Sequence, residues 1–160
     1  MIDISKKQIF IIVIILIVVI ALAYYFFSRS EDIKLSIDVL ETTDNIGENG
    51  SYIPRNTFTT GQEIFVFEDF SNFIVTDNDT KCNLFLELSI IYKPDDMIVK
   101  SFQYNLTDYK LPYADAVVEY VPWNFNTDIS WETGNYRIDA FIKDNLSDQT
   151  ATASTGFTLI

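Results

Sequence analysis

The octapeptide YRIDAFIK, residues Tyr136–Lys143, places Tyr136, Ile138, Ala140 and Ile142 at every second position, with charged residues among the intervening ones. Successive side chains of a β-strand point to opposite faces of its sheet. Apolar residues at every second position therefore predict a strand with one buried face and one solvated face.

The same period of two, or a short apolar run between turn residues, recurs throughout the chain after residue 32. In Ile33–Leu40, the residues Ile33, Leu35, Ile37 and Val39 are expected on the buried face. The last strand is expected at a sheet edge. Besides Tyr136–Lys143, the predicted strands are Ile33–Leu40, Gln62–Phe70, Cys82–Tyr92, Met97–Tyr104, Ala116–Val121 and Thr150–Ile160.

The segments between these strands carry turn residues, and two of them are long. Glu41–Thr60 contains two glycines and a proline, and Pro122–Thr133 is rich in aromatic residues, so both are predicted as loops. No segment after residue 32 shows a helical period. About seven strands without intervening helices predict an all-β fold, an antiparallel β-sandwich over residues 33–160.

An uninterrupted apolar segment, Ile9–Phe27, precedes this domain and contains 19 residues without a charge, glycine or proline. As a helix it would span about 28 Å, close to the hydrocarbon core of a bilayer. Lys6 and Lys7 precede it, and Tyr24 and Tyr25 stand near its far end, where aromatic rings favour the interface. The pattern predicts a transmembrane signal-anchor with residues 1–8 in the cytoplasm, a stem at 28–32, and the β domain outside.

Two alternatives to a retained anchor remain. Ala21-Leu22-Ala23 fits the small-residue cleavage site of a secretory signal peptide, although the apolar run continues to Phe27. The basic pair Lys6-Lys7 before a hydrophobic helix also resembles an archaeal pilin-like leader. That family usually has glycine before the cut, where this chain has Lys7.

The β domain is strongly acidic. Residues 28–160 carry 9 basic and 22 acidic residues, a net charge of −13. Such a surface repels phosphate backbones, so nucleic acid is not an expected partner. Cys82 is the only cysteine, which excludes an internal disulfide. The sequence has no histidine, which removes most catalytic triads and imidazole metal sites, so neither an enzyme nor a cofactor or metal is expected.

The C-terminal segment Glu132–Ser147, ETGNYRIDAFIKDNLS, followed by the strand from Thr150, resembles the last hairpin of bacterial and archaeal immunoglobulin-like cell-surface domains. In those domains a Gly-x-Tyr turn leads into strand F, and strand G closes the sheet. The resemblance implies that Tyr136 is the structural tyrosine corner, two residues before Ile138 at the position of the second cysteine. It also implies adhesion, spacing or assembly at a cell surface.

Two further groups of residues are candidate sites. Trp123, Phe125 and Trp131 cluster in the chain and are candidate contacts for a partner, since aromatic residues dominate interface energetics. A place beside the core is the alternative for both tryptophans. Four sequons in or near predicted turns make their asparagines candidates for glycosylation, namely Asn49, Asn78, Asn105 and Asn145.

Taken together, the sequence predicts a single-pass protein of the cell membrane with an extracytoplasmic, non-catalytic β-sandwich. Its expected partners are the membrane and another surface or membrane protein, or copies of itself. The alternatives are a subunit of a surface filament, such as a pilus or archaellum-type assembly, and an accessory subunit of a larger membrane complex.

Overall fold

The structure is a computed structural model that describes residues 15–20, 34–48, 50–75, 81–110 and 117–160. The chain divides into two units, Met1–Ile33 and Lys34–Ile160. In the first, residues 15–20 are helical and their apolar side chains are 50–60% exposed. The rest of the predicted membrane segment, residues 1–8 and the predicted stem lie outside the described residues. Within the described ranges, no helix is both long and apolar enough to span a bilayer.

The second unit is built from strands, which confirms the all-β prediction. The described part of residues 34–160 contains eight: β1 (Ser36–Thr43), β2 (Thr57–Phe58), β3 (Glu63–Ser71), β4 (Lys81–Tyr92), β5 (Met97–Lys110), β6 (Val117–Asn126), β7 (Gly134–Asp144) and β8 (Thr150–Leu159).

These strands form two sheets. One has three strands in the order β1-β3-β6, and the other has five in the order β2-β8-β7-β4-β5. All neighbours are antiparallel except β2 and β8, which run parallel. The prediction of an antiparallel sandwich is therefore correct except for this one short pair. The predicted C-terminal hairpin is β7–β8, paired from Gly134–Leu159 to Lys143–Thr150.

The core lies between the sheets, on the faces that the period of two predicts. On β4, Leu84, Leu86, Leu88 and Ile90 are completely buried. On β7, all four predicted inward residues of the opening octapeptide are buried, with Tyr136 3% exposed. Because two adjacent central strands present continuous apolar rows, the facing sheet is held to them by hydrophobic burial.

Strand β1 departs from its predicted alternation. The ladder with β3 passes from Ile37–Phe70 directly to Val39–Asp69, so the chain bulges at Asp38. A bulge inserts one residue and shifts every later side chain to the other face. Ile37 and Leu40 consequently pack on the core, and the prediction that Val39 shares the face of Ile37 is wrong.

Both predicted long loops contain strand residues. Thr57–Phe58 within Glu41–Thr60 forms β2, and Phe58 is 1% exposed in the core. The predicted loop Pro122–Thr133 begins as strand, because β6 continues to Asn126 and pairs with β3. Pro122 interrupts the sequence pattern of a strand, but β6 lies at the edge of its sheet, where proline is tolerated.

Candidate functional site: an aromatic seam along one edge of the sandwich

Two strands that end their respective sheets, β5 and β6, approach each other along one edge of the sandwich. The ring of Phe102 on β5 lies 6.1 Å from the rings of Trp123 and Phe125 on β6. Tyr104 meets Trp123 edge-on at 6.4 Å, and Phe125 lies 6.1 Å from Trp131. We call these five rings the aromatic seam. Packed rings, in contact from one end to the other, thus join the two sheets at this edge.

The seam brings inward-facing residues to the surface. In the β4–β5 ladder, Phe102 stands opposite Leu88 and Tyr104 stands opposite Leu86. Both leucines are completely buried, whereas Tyr104 is 53% exposed and Phe102 is half-buried. Inner-face positions that are shielded from solvent on the central strand β4 are therefore exposed to solvent on the edge strand β5.

All three predicted partner-contact residues lie in the seam. Trp123 and Trp131 are half-buried, and Phe125 is 3% exposed and belongs to the core. The sequence analysis missed Phe102 and Tyr104 as members. Their spacing of two in a predicted strand indicated a shared face, but only the packing of one sheet on the other places that face beside Trp123.

Trp123 is tied to a buried acid. Its indole Nε1 donates a hydrogen bond of 3.0 Å to Oε2 of Glu68, a residue that is 0% exposed. Among the described residues, the other oxygen, Oε1, has no hydrogen-bond partner. Burial raises the pKa of the Glu68 carboxyl to about 7, and the bond from Trp123 opposes part of that rise. The indole is thus oriented with its N–H edge towards the interior.

Tyr136 packs against Trp131, which forms one end of the seam. Their rings stack 5.5 Å apart, and the Tyr136 hydroxyl donates a 2.7 Å hydrogen bond to the backbone oxygen of Glu132. The ring of Tyr92 lies 5.0 Å from Tyr136, and its hydroxyl donates to Oε2 of Glu132 at 3.0 Å. Both phenols are therefore fixed to the turn that precedes β7.

Two of the four predicted glycosylation residues, Asn49 and Asn78, lie outside the described residues. Asn105 is exposed, but it lies within β5, which extends beyond the predicted end at Tyr104. Asn145 is exposed in the turn after β7, where its Nδ2 donates to Oδ1 of Asn83 at 3.0 Å.

The acidic turn between β4 and β5 shows ordinary turn chemistry. Asp95 Oδ1 accepts a hydrogen bond from the backbone N–H of Met97, and Asp96 lies 3.6 Å from Arg137 and 3.9 Å from Lys93. Within the described ranges, no group of three or more acidic or cysteine side chains could hold a metal ion.

No family model and no curated protein matches this sequence. Among solved structures, the chain is similar to a β-glucuronidase from Bacteroides uniformis, with TM-score 0.51 and 12% identity over 78% of this chain and 14% of that chain. It is also similar to an immunoglobulin-like protein from Pseudomonas aeruginosa, with TM-score 0.42 and 12% identity over 82% of this chain and all of that chain. The likeness to the first supports the β-sandwich fold alone, and this chain spans only a small part of that enzyme.

The raised pKa of Glu68 predicts an unusual dependence of stability on pH. Between its ordinary value of 4.5 and about 7, the folded state holds more protons than the unfolded state. The free energy of unfolding therefore falls as the pH rises through this window and levels off above it. This pKa difference corresponds to a change of about 3 kcal/mol in the free energy of unfolding across the window. Glu68→Gln should abolish that change. Urea unfolding of the full chain in detergent at pH 5 and pH 8 measures it.

The matched control is Glu63→Gln, since Glu63 lies on the same strand but is exposed. This variant should keep the pH dependence of the wild type. If wild type and Glu68→Gln lose stability equally between the two pH values, Glu68 is ionised in the folded protein and the assignment is wrong.

Proposed function

We propose that this chain is a non-catalytic binding module, held at a cell membrane by its N-terminal apolar segment, that contacts another protein through the aromatic seam. The observation that carries the proposal is the open edge itself. Tyr104 is 53% exposed there although it belongs to the inner face of its sheet. Large aromatic side chains that combine an apolar body with a polar tip are enriched where proteins bind one another.

Strand β5, which carries two of the five seam rings, has two further properties of a binding surface. Met97 at its start is 54% exposed and stands opposite Tyr92 on the inner face, which extends the apolar area. Within the described part of the chain, β5 is 14 residues long and pairs only with β4, so its outer edge presents backbone groups to which a strand can be added.

Edge pairing was expected at the last strand, but β5 is the better candidate. Near the end of β8, the backbone N–H of Thr158 donates to the oxygen of Asn56 at 2.8 Å, and that of Ile160 donates to Phe58 at 2.9 Å. The end of β8 is therefore already paired with the segment around β2.

The membrane part of the proposal rests on the sequence of Ile9–Phe27 and on the flanking Lys6 and Lys7. The described residues 15–20 are helical, and their apolar side chains are at least half exposed. A helix with apolar side chains directed outward is stabilised when lipid replaces water around it.

Exposed seam residues should be required for partner binding. We expect Tyr104→Ser to recover the partner about fivefold less well, because an exposed aromatic side chain lost from an interface costs on the order of 1 kcal/mol. The measurement is quantitative mass spectrometry of proteins that copurify with the tagged full chain from native membranes.

The control is the double variant Ile53→Ser, Leu146→Ser, which removes comparable exposed apolar side chains outside β5 and β6. It should recover the partner as the wild type does. The proposal is wrong if the seam variant, shown to be folded by circular dichroism, keeps every partner of the wild type.

The proposed topology makes a separate prediction. Protease added to intact cells should degrade residues 34–160, because a retained anchor leaves this domain outside the cytoplasm. An antibody against the C-terminal hairpin detects the domain before and after treatment. A domain that survives until the membrane is opened would contradict this location.

A further inference from the structure

A small cavity opens at the Trp131 end of the seam. It has a volume of about 220 Å³ and lies between the start of β5 and the turn before β7. Three aromatic rings and two carboxylates contribute to its lining, and we call it the aromatic–acidic pocket. These five residues are Tyr92, Trp131, Tyr136, Asp95 and Glu132.

The walls of the pocket are held in place by contacts within the domain. Tyr136 is buried and its ring contacts those of Trp131 and Tyr92, at 5.5 Å and 5.0 Å. Both phenol hydroxyls donate to Glu132, one to its backbone oxygen and one to its carboxylate. A site whose walls are fixed in advance loses little conformational entropy when a ligand enters.

The pocket carries two carboxylates that form no ion pair within the described residues. No lysine or arginine in the described part of the chain forms an ion pair with Asp95 or Glu132, whereas the adjacent Asp96 contacts both Lys93 and Arg137. The hydrogen bond to Glu132 is the largest cause of a raised pKa at the Tyr92 hydroxyl, and the charge of Asp95 adds to it. The pocket therefore favours a cation.

Aromatic rings attract a cation through the negative charge on their faces, and carboxylates close by strengthen that attraction. The seam already shows such a contact, because Nζ of Lys100 lies 5.2 Å from the centre of the Phe102 ring. The aromatic–acidic pocket places two carboxylates beside the rings of Tyr92 and Trp131, while the buried Tyr136 ring stacks on Trp131 and Phe157 and supports them.

We propose that the aromatic–acidic pocket binds a lysine or arginine side chain of the protein partner, an inference that rests on the proposed function and specifies the chemistry of that partner. The source is a protein side chain because the pocket continues into the seam. Trp131 contacts Phe125 at 6.1 Å, and the exposed Met97 lines the pocket and begins β5. One partner surface can therefore cover the seam and insert a basic residue at its end.

The direct test is a titration of the 15N-labelled full chain in detergent micelles with Nα-acetyl-arginine amide and Nα-acetyl-lysine amide. The two tryptophans give two indole N–H signals in the NMR spectrum. We expect the Trp131 signal to shift and saturate, and the Trp123 signal, bonded to Glu68, to stay in place. Added salt should weaken binding, and the neutral Nα-acetyl-glutamine amide should produce no shift.

Charge-neutralising variants then assign the binding to the pocket. Asp95→Asn combined with Glu132→Gln keeps the shape and an acceptor for Tyr92, and it should weaken binding of the arginine probe about tenfold. The control is Glu87→Gln, which removes one charge from the outer face of β4 and should bind the probe as the wild type does.

The partner assay separates this inference from the proposed function. We expect Asp95→Asn, Glu132→Gln to lower recovery of the partner severalfold while the seam remains unaltered. If recovery depends on Tyr104 but not on the two carboxylates, the seam is the interface and the pocket inference is wrong. It is also wrong if the glutamine probe shifts Trp131 as strongly as the arginine probe.

Discussion

The two sheets differ in width, and this difference determines where inner-face side chains are left uncovered. Three strands face five, and neighbouring strands lie about 4.8 Å apart, so the smaller sheet cannot cover the inner face of the larger one. At the β2 edge of the larger sheet the uncovered area is small, because β2 has only two residues. At the other side β5 runs for 14 residues. Its inward-facing side chains need cover, and the rings of β6 supply it only in part.

The link between Trp123 and Glu68 joins that open edge to the interior. Trp123 packs against both clusters of buried side chains, and Glu68 occupies an inward position of β3 between Val66 and Phe70. A buried carboxyl with one oxygen lacking a described partner costs stability, which its raised pKa reflects. The hydrogen bond to Glu68 fixes the orientation of the indole, with its N–H edge inward and the rest of the ring towards the surface.

Local periodicity predicted the strands whose alternation is uninterrupted. The predicted bounds of β4 and β7 agree with the observed bounds to within two residues at each end. The inward positions of both strands carry apolar side chains almost as far as the turn that follows each strand, so the period of two is unbroken. The bulge at Asp38 could not be predicted, since a bulge is defined by the partner strand. Pro122 concealed the continuation of β6 beyond the predicted end at Val121, and two residues are too few for β2 to show any period.

The seam could be predicted only in part for the same reason. Trp123, Phe125 and Trp131 are close in sequence and were recognised as a cluster. Phe102 and Tyr104 join them only because one sheet packs on the other. The sequence around Glu68 indicated its burial, because Glu68 continues the alternation of inward positions set by Ile64 and Val66. An acid at such a position is uncommon, and its indole partner lies 55 residues away along the chain.

The central claim is that a protein covers the seam in the cell, and hydroxyl-radical footprinting tests it without knowledge of the partner. The full chain is labelled in native membranes and after purification in detergent, and oxidation is measured at each side chain. We expect Met97, Tyr104 and Trp131 to be oxidised in the purified chain and protected in membranes, whereas Phe85 and Phe141, which pack together on the outer face, should change little. Equal oxidation of Tyr104 and Trp131 in both preparations, or protection confined to the outer face, would contradict it.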